Sequence, residues 1–146
     1  MLAFVDSNVL VYRHVLDEPV KQARSQEILG LLWARRCGRL SVQVLNEFYV
    51  VSTRKLATPL SKDTARAEVR LFEAWRPVAL STPVRERAWL IEDRYNLSWW
   101  DALIVAAAAQ ANCGILLTED LQDGQDFDGI TVVNPFAHDP ADLDLG

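Results

Sequence analysis

Four apolar runs, Leu2–Val5, Pro77–Leu80, Ile115–Thr118 and Ile130–Val133, are each only four residues long. Runs that short, bounded by turn-forming residues, suit buried strands. Between them lie stretches of helical period: Val9 to Leu16, then from Pro19 to about Cys37-Gly38, Val44 to Lys55, Lys62 to Trp75, and Val84 to Tyr95. A further helix is expected over SWWDALIVAAAAQA, Ser98 to Ala111, the most apolar segment of the chain. Leu40–Gln43 is one more short strand candidate, DGQDFDG (123–129) reads as a loop, and the tail after Pro135 reads as irregular. Short strands alternating with long helices predict an α/β fold with a mainly parallel sheet. In such sheets ligands bind beyond the carboxyl ends of the strands, so the chemistry is sought there.

A length of 146 residues suits a single domain spanning 1–146. No apolar run approaches the roughly 20 residues needed to span a bilayer, and no basic-then-apolar leader opens the chain, so no membrane association is expected. Cys37 and Cys113 stand alone, without the spacing of a zinc or redox site, and read as packed thiols of a cytoplasmic protein.

The formal charge of −5 is unevenly spread. All 15 Lys and Arg residues fall between Arg13 and Arg94, against 11 acids in those first 94 residues, a balance of +4. From Tyr95 onward there are nine acids and no Lys or Arg. One reading is chance plus solvated surface. The other is a fold that sets a basic rim, suited to a polyanion, against an acidic site.

Four acids stand in telling places. Asp6 directly follows the first strand, where it also suits an N-cap. Asp120 comes two residues after the strand Ile115–Thr118, with Asp123 a rival three residues on and Glu119 pointing elsewhere. Glu47, in VLNEFYVV, lies at the edge of the apolar arc made by Val44, Phe48 and Val51, where a carboxylate loses hydration unless an Arg or a metal meets it. Asp101 opens the apolar helix, and Ser98 three residues earlier makes the pair read as a capping box. Two acids at strand ends and two on helices entering the core can converge. Gathered carboxylates repel one another, and a hard divalent cation such as Mg²⁺ or Mn²⁺ relieves that repulsion.

LAFVDSNVLVY around Asp6, VLNEFY around Glu47, WWDALIVAAA around Asp101 and LLTEDL around Asp120 together resemble the acidic quartet of the PIN domain. More closely, the chain resembles the VapC ribonuclease toxins of toxin–antitoxin pairs, from its first strand to VVNPF. Many such toxins carry Asn where Asp120 stands, followed by an acid aligned with Asp123, so the fourth place lies between those two. The resemblance implies a three-layer α/β/α sandwich and an Mg²⁺-dependent endoribonuclease, with Mn²⁺ able to substitute. It also implies a homodimer and a small VapB-like antitoxin that blocks the site.

On this reading Asp6 and Asp101 ligate metal directly, Asp120 does so directly or through water, and Glu47 holds a second ion or orients the attacking water. Ser7, Asn8 and Thr118 are candidates to orient these carboxylates. His14 and His138 are given no catalytic part. Arg13, Arg35, Arg36, Arg39, Arg54 and Lys55 are the candidate phosphate contacts. Trp99-Trp100 reads as core plus partner surface, and Ile28, Leu32 and Trp33 as apolar residues available to a partner. The alternative is a non-catalytic PIN-like module that binds RNA or protein without cutting. A phosphatase with a nucleophilic DxD is disfavoured because the second acid is missing from Asp6-Ser7-Asn8, and a flap-type DNA nuclease because the chain leaves little room for the added helices.

Overall fold

A computed structural model describes all residues, Met1–Gly146. In chain order the elements are β1 (Ala3–Val5), α1 (Ser7–Tyr12), α2 (Pro19–Arg35), β2 (Gly38–Arg39), α3 (Val42–Arg54), α4 (Lys62–Leu71), a 3₁₀ turn (Phe72–Trp75), α5 (Thr82–Tyr95), α6 (Trp99–Gln110), β3 (Ile115–Leu117), β4 (Asp126–Phe127) and β5 (Ile130–Val133). The strands form one sheet in the order β2-β1-β3-β5-β4, parallel throughout except for β4. This is a mostly parallel sheet flanked by helices, the α/β class that the alternation of elements implies. No helix is long and apolar enough to cross a membrane.

The strands are short because little more than their buried centres is needed. All three residues of β1 and all three of β3 are buried, and parallel strands covered on both faces read as continuous apolar runs. Helix α6 buries seven consecutive residues, Ala102–Ala108, and packs on β3 and β5 with α5 beside it. Each large side chain removed from water here contributes about 1.5–3 kcal/mol. Helix starts follow local chemistry: Ser41, Ser61 and Ser98 accept bonds from the backbone of α3, α4 and α6, and Pro19 opens α2.

Several expected boundaries move. The first helix stops at Tyr12 rather than Leu16. Leu40–Gln43 is not a strand: the pairing residues are Gly38–Arg39, and Ser41 already caps α3. Pro77–Leu80 contributes only a bridge from Val78 to Ser41. The helix expected to Trp75 tightens to 3₁₀ after Leu71. DGQDFDG holds a strand, because Asp128 and Gly129 both take positive φ and close a two-residue hairpin between β4 and β5. Ile28 and Leu32 are fully buried, so they are core rather than partner surface, and only Trp33 of that trio is exposed. The tail is anchored: the Arg35 guanidinium donates to the Leu145 carbonyl, and the Gly146 N–H to that of Met1.

The order of strands fixes where a site can form. From β1 the chain crosses to β2 on one side, whereas β3 lies on the other, so the β1–β3 boundary is where the winding reverses. A crevice opens beyond the carboxyl ends of strands at such a point.

Candidate active site

Asp6 follows β1 and Thr118 follows β3, so the two meet at that crevice. The Thr118 hydroxyl, fully buried, donates to Asp6 Oδ2 at 2.8 Å. The Ser7 N–H donates to Asp6 Oδ1 at 2.8 Å, which makes Asp6 the N-cap of α1 as well. Asp6 is 6% exposed. Burial pushes its carboxyl up to about 6; the bonds from Thr118 and Ser7 pull against that shift, and the charges of Glu47 and Asp120 add to it.

Two side chains of α1 gather the other acids. Ser7 Oγ donates to Glu47 Oε2 at 2.9 Å, reaching α3. Asn8 Nδ2 faces three acceptors: Thr118 Oγ1 at 3.0 Å, Asp120 Oδ2 at 3.2 Å and Asp6 Oδ2 at 3.3 Å. An amide has only two hydrogens to give, so acceptors outnumber donors. The Asp120 N–H donates to Thr118 Oγ1 at 3.1 Å, holding the loop after β3 against Asp6.

Asp101 lies half-buried in the first turn of α6. Its N–H donates to Ser98 Oγ at 3.2 Å. The return bond of a capping box, from the Ser98 N–H to the Asp101 carboxylate, is not formed, so the cap leaves that carboxylate uncommitted. Gln43 Nε2 donates to Glu47 Oε1 at 3.1 Å and to the Trp100 carbonyl at 3.4 Å, linking α3 to the turn that carries Asp101.

No Lys or Arg pairs with Asp6, Glu47, Asp101 or Asp120; the ion pairs are formed by Glu27, Glu68, Glu119, Asp123 and Asp128. Asp123 is engaged elsewhere. It accepts from the Asn134 N–H at 2.8 Å and lies 2.7 Å from His138 Nε2, contacts that lower its carboxyl, the backbone bond most.

The unpaired, all-oxygen donor set suits a hard divalent cation. As they stand, no three acids lie together at metal-holding spacing. Ser7 and Asn8 stand between them and occupy their oxygens.

Three sets of polar contacts have no local signature in the sequence. Lys21 of α2 donates to Glu119 Oε2 at 2.9 Å and to the Tyr12 hydroxyl at 3.3 Å. The Glu119 N–H in turn reaches Asn8 Oδ1 at 3.4 Å. Glu68 of α4 is buried between Arg13 at 3.0 Å and His14 at 2.6 Å, which commits Arg13, expected to meet phosphate, to an ion pair. The third is that of Gln43.

Residues 3–125 match the family model described as "PIN domain". No curated protein matches the sequence. Among solved structures, the chain is similar to a toxin–antitoxin complex from Klebsiella pneumoniae, at 20% identity and a TM-score of 0.65 over 91% of this chain and 97% of that one. It is similar to VapC20 of Mycobacterium tuberculosis, a sarcin–ricin-loop-cleaving toxin, at 19% identity and a TM-score of 0.60 over 81% and 89%. A third is VapBC2 of Rickettsia felis bound to a DNA fragment from its promoter, at 15% identity and a TM-score of 0.61 over 90% and 97%.

Proposed function

The chain belongs to the PIN-domain family, and from that premise we propose that it is a metal-dependent endoribonuclease toxin, hydrolysing RNA phosphodiester bonds and neutralised by a small antitoxin. The observation that carries this reading is the unpaired acid cluster. Asp6, Glu47 and Asp120 are drawn together by Ser7, Asn8 and Thr118 with no cationic side chain among them. Retaining a buried carboxylate beside like charges costs stability, and such an arrangement is expected where it serves a cation.

Asp6, Asp101 and Asp120 would hold Mg²⁺, or Mn²⁺ in its place, with Glu47 at a second ion or on the attacking water. The ion supplies Lewis acidity toward a phosphate oxygen and a water. The chain's own part is positioning. Thr118 and the Ser7 N–H fix the Asp6 carboxylate, Asn8 sets Asp120 against it, and Ser7 with Gln43 aims Glu47. No side-chain nucleophile is needed, and His14 and His138 face Glu68 and Asp123 rather than the carboxylates of the site.

The toxin reading draws on the similar solved structures: a toxin–antitoxin complex, a sarcin–ricin-loop-cleaving toxin and a VapBC pair on promoter DNA. A ribonuclease acting on cellular RNA works in the cytoplasm and needs an inhibitor there. An antitoxin carrying Arg or Lys would meet the unpaired carboxylates, and a homodimer is part of the same proposal. One observation favours a non-catalytic binding module instead: no three acids stand ready at metal-holding spacing.

Turnover separates the two. Purified protein is expected to cut RNA with Mg²⁺ or Mn²⁺ and to stop with EDTA. Asp6→Asn and Asp101→Asn should each abolish cutting while circular dichroism shows a folded chain. Full activity in both variants, or cutting indifferent to chelation, would overturn the reading. Expression without the partner should arrest growth in a manner that needs Asp6 and Asp101.

A further inference from the structure

We propose that Arg36, Arg39 and Arg76, set around Trp33 beside the edge strand β2, form a second phosphate-binding site that grips single-stranded RNA at a distance from the carboxylates. It rests on the reading of RNA as substrate. Arg36, Arg39 and Arg76 line a cavity of ≈350 Å³ together with Trp33, Ala74 and Trp75, a volume at the small end of ligand sites. Arg39 Nη1 donates to the Gly38 carbonyl at 2.8 Å, which fixes that side chain and leaves its charge unmatched. None of the three forms an ion pair: the cations that do are Arg13, Lys21, Arg24 and Arg94, with His14 and His138. Guanidinium forks match phosphate oxygens, and a polyanion relieves their mutual repulsion.

The pocket is built on a fixed floor. Gly38 in β2 has no Cβ, and one placed there would lie 2.6 Å from the Trp75 ring, so only glycine lets that indole lie against the strand. Trp75 is buried and packs on Phe72 at 4.9 Å and Trp33 at 5.0 Å between ring centroids. Trp33 remains 38% exposed, an aromatic side chain beside arginines that form no ion pair. That pairing suits a base stacked next to its own phosphate, as in single-strand recognition.

The plainer explanation is that these arginines offset helix ends. Arg36 caps α2 and Arg76 caps the 3₁₀ turn, both in left-handed backbone at φ 54°. A helix C-terminus carries about half a negative charge, and less for a single 3₁₀ turn. Three guanidinium groups exceed that severalfold, so the pocket keeps a strong positive surplus.

Arg36 lies fifteen residues beyond Lys21, whose ammonium contacts Glu119 next to Asp120. At about 1.5 Å per helical residue the separation is about 22 Å. A stacked strand advances ~3.4 Å along its axis per nucleotide, so about six to seven stacked nucleotides cover that separation. A 12-nucleotide strand is long enough to span it.

The test uses the full chain carrying Asp6→Asn, in EDTA, with labelled 12-nucleotide RNA and a 12-base-pair DNA duplex, measured by anisotropy across salt concentrations. Because nothing is cut, the result does not depend on the ribonuclease reading, which the Mg²⁺ assay tests separately. Adding R36Q, R39Q and R76Q together should weaken the 12-mer at least tenfold. It should flatten its log–log salt slope by about 2, at ~0.7 for each phosphate no longer neutralised. R36K, R39K and R76K together should fall between, keeping charge without the fork. A charge-matched control, K62Q with R70Q and R87Q on exposed faces of α4 and α5, should change the 12-mer less than threefold. An unaltered 12-mer, an equal loss in the control, or a loss confined to duplex DNA would overturn the proposal.

Discussion

Asn8 donates to Asp120 across 3.2 Å although the two stand 112 positions apart in sequence. The same nitrogen faces Asp6, so one amide on α1 registers the carboxylate after β1 against the loop after β3.

Asn8→Ala should therefore lower single-turnover cleavage about 10- to 100-fold, the usual cost of losing a group that orients metal-holding carboxylates. Mn²⁺ titration calorimetry should show weaker binding in the same variant. Unaltered rate and unaltered Mn²⁺ affinity would mean that Asn8 serves only to start the helix.

Asp120 and Asp123 are separated by their partners. Asp120→Asn should impair turnover with little effect on thermal stability, since Asp120 is exposed. Asp123→Asn should leave turnover largely intact, because its carboxylate is committed to Asn134 and His138. Its lowered carboxyl favours the folded chain above the ordinary carboxylate range, and that contribution fades as pH falls through the folded value. A single-turnover comparison of the two variants in the opposite order would move the fourth acid to Asp123.

These partners mark the boundary of what the sequence discloses. β1 and β3 are legible because strands buried on both faces leave unbroken apolar runs, and Asp6 and Thr118 are located simply by ending them. Glu47 is legible from its place at the edge of a helical arc, and Asp101 from opening an apolar helix. β4 is hidden because two residues show no alternation; its one trace is the Asp128-Gly129 turn. Lys21 with Glu119, Gln43 with Glu47, and Glu68 with Arg13 and His14 are joined by tertiary packing, and polar residues on amphipathic helices give no local sign of such pairing.

Asp6 gives a pH prediction whose sign is unusual for an acid. Its folded value of about 6 lies above the ordinary 3.8, so the folded chain binds the proton more tightly than the unfolded chain. In metal-free protein this group's contribution is fully present below about pH 4, declines as pH rises to about 6 and is absent above it. The difference between those values corresponds to about 3 kcal/mol. Urea titrations of the wild type and Asp6→Asn, both in EDTA, should diverge on acidification, the wild type gaining relative to the variant between pH 7 and 4. A constant difference over that range would refute the buried-charge account, whatever the outcome of the RNA assays.

Lys21 tests whether the rim acts through position or through direct contact with RNA. Its ammonium is shared by Glu119 and Tyr12 and lies 4.6 Å from the centroid of the Tyr12 ring, so it is already occupied. The pair is partly exposed, which limits its worth to about 1 kcal/mol or less. Lys21→Gln should thus lower the melting temperature by only about 2–4 °C in a chain of this size. Its larger effect is expected on geometry, because Glu119 precedes Asp120 and its N–H reaches Asn8. Turnover should fall severalfold with KM and its salt dependence nearly unchanged, and Lys21→Arg should restore most of the rate. A raised KM with a flattened salt slope and normal kcat would instead identify Lys21 as a phosphate contact.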